Sequence, residues 1–251
     1  MISNFTFMNG EYGIYVDSAD HVQVRDNNVI NCAIGGGYWV AGIAVYSSRN
    51  VVISDNLVLG QKPYNAATSG IFLTENSDNC LVDSNNVSYF DSGIYLFSYS
   101  DSNIISNNIV SYNHHNNLAG GYAFNNTYFG NTEYGASLYG ICFQGYDQYI
   151  GNNRFYHNNL ARALSGWQIL PGNGNIWDNG YPSGGNYWSD YQTRYSNATE
   201  IDGSDIWNTS YVIDANNTDR YPLMKPWTGH DVAITSVAPS KTVITEGDSM
   251  V

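Results

Sequence analysis

The sequence predicts an all-β solenoid, a parallel β-helix, on three observations. A unit that opens with Gly-Ile recurs along the chain, it closes on paired asparagines, and its apolar residues alternate at period two. The copies read GIYVDSADHVQVRDNNVI from Gly13, GIAVYSSRNVVISDNLVL from Gly42 and GIFLTENSDNCLVDSNNVSYF from Gly70. Two more are GIYLFSYSDSNIISNNIVSY from Gly93 and GICFQGYDQYIGNNRFYHNN from Gly140, and GWQILPGNGNIW from Gly166 is a weaker one. Alternation such as Ile14-Tyr15-Val16 and Val22-Gln23-Val24 marks short strands with one buried face, and no helix-period segment competes. A leucine-rich repeat needs a Leu-x-x-Leu-x-Leu frame, which is missing.

Each element follows from a residue type. Coils of a β-helix stack about 4.8 Å apart, so like residues fall into ladders. The predicted structural corner is Asn28, Asn56, Asn86, Asn108 and Asn153, where each amide donates to and accepts from its neighbours and one Asn of each pair turns the chain left-handed. The stretch 113–139 (NHHNNLAGGYAFNNTYFGNTEYGASLY) is read as a loop insertion rather than a degenerate coil. From about Asn173 the chain turns rich in Gly, Trp and Tyr, which fits a cap over the open end of the solenoid. Trp177, Tyr187, Trp188 and Tyr191 are read as cap packing. The expected organisation is a β-helix over 1–229, its cap at about 173–229, and in 230–251 the start of a further domain.

Composition narrows the function. The chain has 251 residues, 33 of them Asn, and a formal charge of −13 from 22 Asp plus Glu against nine Lys plus Arg. So few cations argue against a phosphate-reading surface, and hence against nucleic acid, and against a polybasic membrane patch. No apolar run reaches the length of a membrane-spanning helix. Cys32, Cys80 and Cys142 match no zinc spacing or redox pair and read as small buried residues.

At GGNYWSDY, IDGSD, SYVID and NNTDRYPLMKPW the chain resembles the NosD-type right-handed parallel β-helix group of archaeal and bacterial cell-surface proteins. That group is pectin-lyase-like and is also described as carbohydrate-binding and sugar-hydrolase-type. The resemblance implies a right-handed helix, an extracellular or cell-surface location, and 230–251 as the truncated start of an immunoglobulin-like, adhesion-type domain. Relatives carry Asp-Gly-x-Gly-Asp in the cap, where this chain has Asp202-Gly203-Ser204-Asp205. Asp190, Asp202 and Asp205 are the candidate ligands for a structural calcium. Copper is suggested only by the family name, and the histidines are scattered.

Chemistry on this scaffold would need specific groups. A lyase needs a basic residue, yet the lysines are only Lys62, Lys225 and Lys241, and Arg25, Arg49 and Arg154 have no acidic cluster beside them. A hydrolase needs two carboxyls across one groove; Glu75 and Asp83, with Asp55 or Asp101, are the only arrangement on offer. The aromatic surplus, 22 Tyr and six Trp, points elsewhere. Tyr38, Trp39, Tyr122, Tyr128, Tyr134 and Tyr139 sit in predicted loops, where binding residues concentrate, and are candidates for stacking on sugar rings. The leading expectation is a non-catalytic cell-surface β-helix module that mediates carbohydrate binding or adhesion, with a polysaccharide or cell-surface glycan as partner, within a longer chain. A polysaccharide-active hydrolase or lyase and a purely structural surface-layer spacer are the alternatives.

Overall fold

A computed structural model describes residues 1–34, 39–61, 67–143, 151–161, 163–164 and 168–229. The expected domain start at 230–251 lies outside the described residues. The chain winds as a right-handed parallel β-helix of about seven coils with almost no α-helix. Three parallel sheets run along it. The first holds Ile14–Asp17, Ala41–Tyr46, Ser69–Thr74, Ser92–Phe97, Asn116–Gly121, Tyr139–Phe143 and Ile169–Leu170. The second runs from Ile2–Ser3 through Gln23–Arg25 to Arg154–Tyr156, and the third from Thr6–Met8 through Asn28–Ile30 to Tyr187–Trp188.

Register explains the sequence pattern. Ile43 pairs with Ile71, Ile71 with Ile94, Ile94 with Leu118, and Leu118 with Ile141, all inside and buried. The glycine before each isoleucine is forced by close approach. A Cβ at Gly70 would lie 2.2 Å from Val87 Cγ1 and 2.7 Å from the carbonyl oxygen of Gly93.

Residues 113–139 contain a full coil, not an insertion. Asn116–Gly121, Thr127–Phe129 and Thr132–Tyr134 pair in all three sheets with the coils on either side. The Gly-Ile start is hidden because Asn117 stands where the others carry glycine, and Glu133 stands between Val110 and Leu160 in the inward column of the third sheet. The two substitutions compensate: Asn117 Nδ2 donates to Glu133 Oε2 at 2.9 Å, inside the core.

The asparagine corner exists, displaced by one residue from part of its predicted set. The ladder between the second and third sheets is Asn27, Asn56, Asn85, Asn108, Asn131, Asn158 and Asn186. Each Nδ2 donates to the Oδ1 of the next, at 2.9–3.0 Å. Asn56 and Asn108 are members, whereas Asn28 and Asn86 are the exposed first residues of third-sheet strands. Asn153 belongs to a second buried ladder with Asn103, Asn126 and Asn175. The left-handed turn falls on the residue before the ladder Asn. Asp26, Asp55, Ser84 and Asn107 take φ between 52° and 57° there. The turn residue is therefore itself an Asn at 107, while at 26, 55 and 84 it is Asp or Ser.

The core widens toward the cap. Tyr128, Phe143 and Phe155 succeed the aliphatic residues of earlier coils, and Gly120 makes room, since a Cβ there would meet Phe143 Cε1 at 2.3 Å. Trp177 closes the stack, 4.4 Å from the Phe155 ring. Above it, Trp188 stacks on Tyr211 at 3.9 Å and Tyr191 on Trp207 at 5.0 Å, so Trp177, Trp188 and Tyr191 pack the cap. The first ladder ends on a buried carboxylate: Asp219 Oδ2 accepts from the Asn186 backbone N–H at 2.7 Å and from Trp188 Nε1 at 2.8 Å.

Candidate functional site

In a strand, alternate side chains leave the core. On the first sheet the outward residue directly after Gly-Ile is aromatic in three coils: Tyr15, Phe72 and Tyr95. The next outward positions add Tyr46 and Phe97. The result is a continuous aromatic band, with neighbouring centroids 5.1 Å apart for Tyr15–Tyr46, 5.9 Å for Tyr46–Phe72 and 5.5 Å for Phe72–Tyr95. Trp39, from the turn before the second coil's strand, lies over this band, stacked on Phe72 at 5.6 Å and on Phe97 at 4.8 Å. Its backbone there is left-handed, at φ 89°, as at many other non-glycine turns of this solenoid. Trp39 is still 42% exposed.

Two cavities adjoin on this face and share Ser92 and Tyr95 as walls. One, about 190 Å³, lies between Trp39, Tyr95 and Asp91, with Thr68 and Ser69. The other, about 150 Å³, runs on past Tyr95 to His115, Asn116 and Cys142. Burial pushes the Tyr95 phenol up to about 12, so it remains a neutral hydroxyl. Asp91 is held from several sides: its Oδ2 accepts from the Ala67 N–H at 3.2 Å, its Oδ1 faces His114 Nδ1 at 3.2 Å, and its carbonyl accepts from the His115 N–H. Asn116 is 7% exposed, and its Oδ1 has no hydrogen-bond partner. Rings, hydroxyls and fixed polar groups together line this groove.

The structure brings together some of the predicted ring residues and separates others. Trp39 is in the groove. Tyr122 lies at the band's margin, edge-on to Phe97 at 5.7 Å, and Tyr139 stacks 6.4 Å from His115 beside the second cavity. Tyr128 is a correction: it is fully buried between Phe143 and Phe155, so it contacts no external ligand. Tyr134 belongs to another face, packed on Tyr112 at the C-terminal end of a third-sheet strand. Tyr38 lies outside the described residues. Reading loops first missed Phe72, Tyr95 and Phe97, although the aromatic after Gly-Ile was there to signal two of them.

The acids do not converge. Asp190 accepts from Tyr211 OH at 3.0 Å, Asp202 from Tyr181 OH at 2.7 Å, and Asp205 pairs with Lys225 at 2.8 Å. The structure therefore gives the three candidate calcium ligands three separate partners. Asp83 lies on the second sheet, bonded to Ser106 and Asn107, and Glu75 follows a first-sheet strand, so the two share no groove.

A profile of the family described as periplasmic copper-binding protein (NosD) matches residues 1–193. No curated protein matches the sequence. Among solved structures, the periplasmic alginate epimerase AlgG superposes with TM-score 0.54 at 22% identity, over 64% of this chain and 36% of the epimerase. A single-site variant of that enzyme gives TM-score 0.54 at 23% identity over the same shares. The chain thus spans about a third of the epimerase, and the likeness is one of fold.

Proposed function

The chain belongs to the NosD family, and from that membership and the groove we propose a non-catalytic β-helix module of the cell envelope or surface that binds carbohydrate. The observation that carries this reading is Trp39 laid over the aromatic band beside two adjoining cavities edged by Asp91, Ser92 and Asn116. Aromatic rings offer broad apolar faces to the C–H faces of sugars, and fixed polar groups orient the hydroxyls. An envelope location accords with the periplasmic descriptions of NosD and of the epimerase. Among the described residues, no helix is long and apolar enough to cross a membrane.

The family's description names copper, which favours clustered imidazole, thiolate or thioether ligands. Among the described residues no three His, Cys, Asp or Glu lie together, and His157 is engaged with the Ser183 carbonyl and the Trp227 ring. The described residues do not fit a copper centre. The glycan reading is tested by affinity electrophoresis through gels cast with soluble polysaccharides. At least one polymer retards the wild type, and Trp39→Ala or Tyr95→Ala abolishes the retardation. Equal mobility of wild type and both variants in every gel overturns it.

A further inference from the structure

The hydrogen-bond inventory of the groove selects among sugars. Two acceptor atoms stand out in it. The Asp91 carboxylate in the first cavity accepts and cannot donate when ionised. In the second cavity Asn116 presents a buried Oδ1 with nothing bonded to it. A buried acceptor without a partner is disfavoured until a donor reaches it. A sugar hydroxyl is such a donor; a carboxylate or sulfate ester is not.

Charge points the same way. The strands of the first sheet contain no Lys or Arg, and among the described residues neither cavity is lined by one. Lys62 and Arg162 lie outside the described residues. The cations that are described are placed elsewhere: Arg49 pairs with Asp78 at the corner, and Lys225 and Arg220 pair with acids of the cap. Asp17 and Glu75 add negative charge at the ends of first-sheet strands. An acidic sugar entering this groove would find donors in the hydroxyls of Thr68, Ser69, Ser92 and Tyr95 and in Asn116 and His115, but no Lys or Arg to pair its charge, and it would face the Asp91 carboxylate.

We propose that the groove takes a neutral glycan, a chain of uncharged hexoses or pentoses, and discriminates against uronates. This rests on the reading of the first-sheet groove as a carbohydrate site and goes beyond it in chemical class. It also sets this chain apart from the epimerase it resembles in fold, whose name specifies alginate, a polyuronate.

The test is calorimetric titration of the full chain with matched oligosaccharides: β-linked glucose, mannose and xylose oligomers on one side, oligomannuronate and oligogalacturonate on the other, at low and moderate salt. At least one neutral oligomer binds, and every uronate binds at least about tenfold more weakly at both salts. Asn116→Ala weakens neutral binding several-fold with an unchanged melting curve. Asp91→Asn narrows the gap between the two classes. A uronate that binds as tightly as the best neutral oligomer, with its binding lost in Tyr95→Ala, overturns the neutral preference and leaves the groove reading standing. Binding of neither class overturns the groove reading itself. Should Asn116→Ala fail to fold, the wild-type comparison still decides the class.

Discussion

Glu133 offers a quantitative test of how the fifth coil is built. Its carboxyl lies in an apolar column, between Val110 and Leu160, with Asn117 Nδ2 as its side-chain partner and Oε1 unpaired among the described residues. Burial pushes it from the usual 4.5 up to about 8, against the smaller lowering effect of its hydrogen bonds. The sign follows from which state holds the proton more tightly. Below pH 4.5 both folded and unfolded chains are protonated and nothing is lost. As pH rises, the unfolded chain releases the proton first, so stability falls until the folded group ionises near pH 8. At about 1.4 kcal/mol per unit, the loss is about 3 kcal/mol at pH 7 and about 5 kcal/mol above pH 8. Glu133→Gln keeps the shape and an oxygen for Asn117 but removes the titration. Urea melts at pH 5 and pH 8.5 measure both proteins. Wild type loses several kcal/mol more than the variant between the two pH values, and the variant is the more stable protein at pH 8.5. Asp219, which burial raises to about 7, titrates in both and cancels in the difference, because it lies in the cap with no shared partner. A difference between wild type and variant that is the same at both pH values refutes the assignment of a buried, proton-holding Glu133.

Three further outcomes follow from packing and hydrogen bonding. Asn108→Ala strands the buried donors and acceptors that Asn108 joins in mid-ladder, including the Val82 carbonyl and the Asn85 N–H, and costs about 2–4 kcal/mol in urea melts; Asn86→Ala, at an exposed strand start, changes stability by less than about 1 kcal/mol. Asp219→Asn removes the titration of a buried carboxyl that burial raises to about 7, so between pH 5 and pH 8.5 the variant loses less stability than the wild type, read by melting with Trp fluorescence. Gly120→Leu drives a side chain into the Phe143 ring and lowers stability by about 1–3 kcal/mol or more, and Gly120→Leu combined with Phe143→Ala recovers part of the loss.

How far the fold was legible depends on which residues carry their own local reason. Gly70 and Gly93 announce a strand start because the valine of the same coil leaves no space for a Cβ, and that demand repeats at every regular coil. Ladder asparagines repeat because one geometry serves each of them. The fifth coil escaped because it solves the same contact with the opposite chemistry: Asn117 and Glu133 replace a glycine and a valine together, and neither letter alone resembles the motif. The one-residue offset at Asn27 and Asn85 has a similar origin, since Asp26 and Ser84 take the left-handed turn that Asn107 takes elsewhere, and only the turn residue tells which Asn of a pair points inward.

The groove was legible in halves. Tyr15, Phe72 and Tyr95 share one outward column, and period-two alternation marks that column from sequence. Nothing local says that Trp39 folds across Phe72 and Phe97, because the contact joins three coils and depends on a left-handed backbone at a non-glycine residue. Nothing local says that Asn116 faces a cavity with an unpaired oxygen, in a chain whose other buried asparagines are largely bound into ladders. That contrast is the argument for the groove. The solenoid uses asparagine repeatedly to satisfy asparagine, so the buried Asn116 amide oxygen, unsatisfied among the described residues and beside the half-buried Tyr95 ring, stands apart from the scaffold's own pattern. A sugar hydroxyl would complete it as the next asparagine completes the rest.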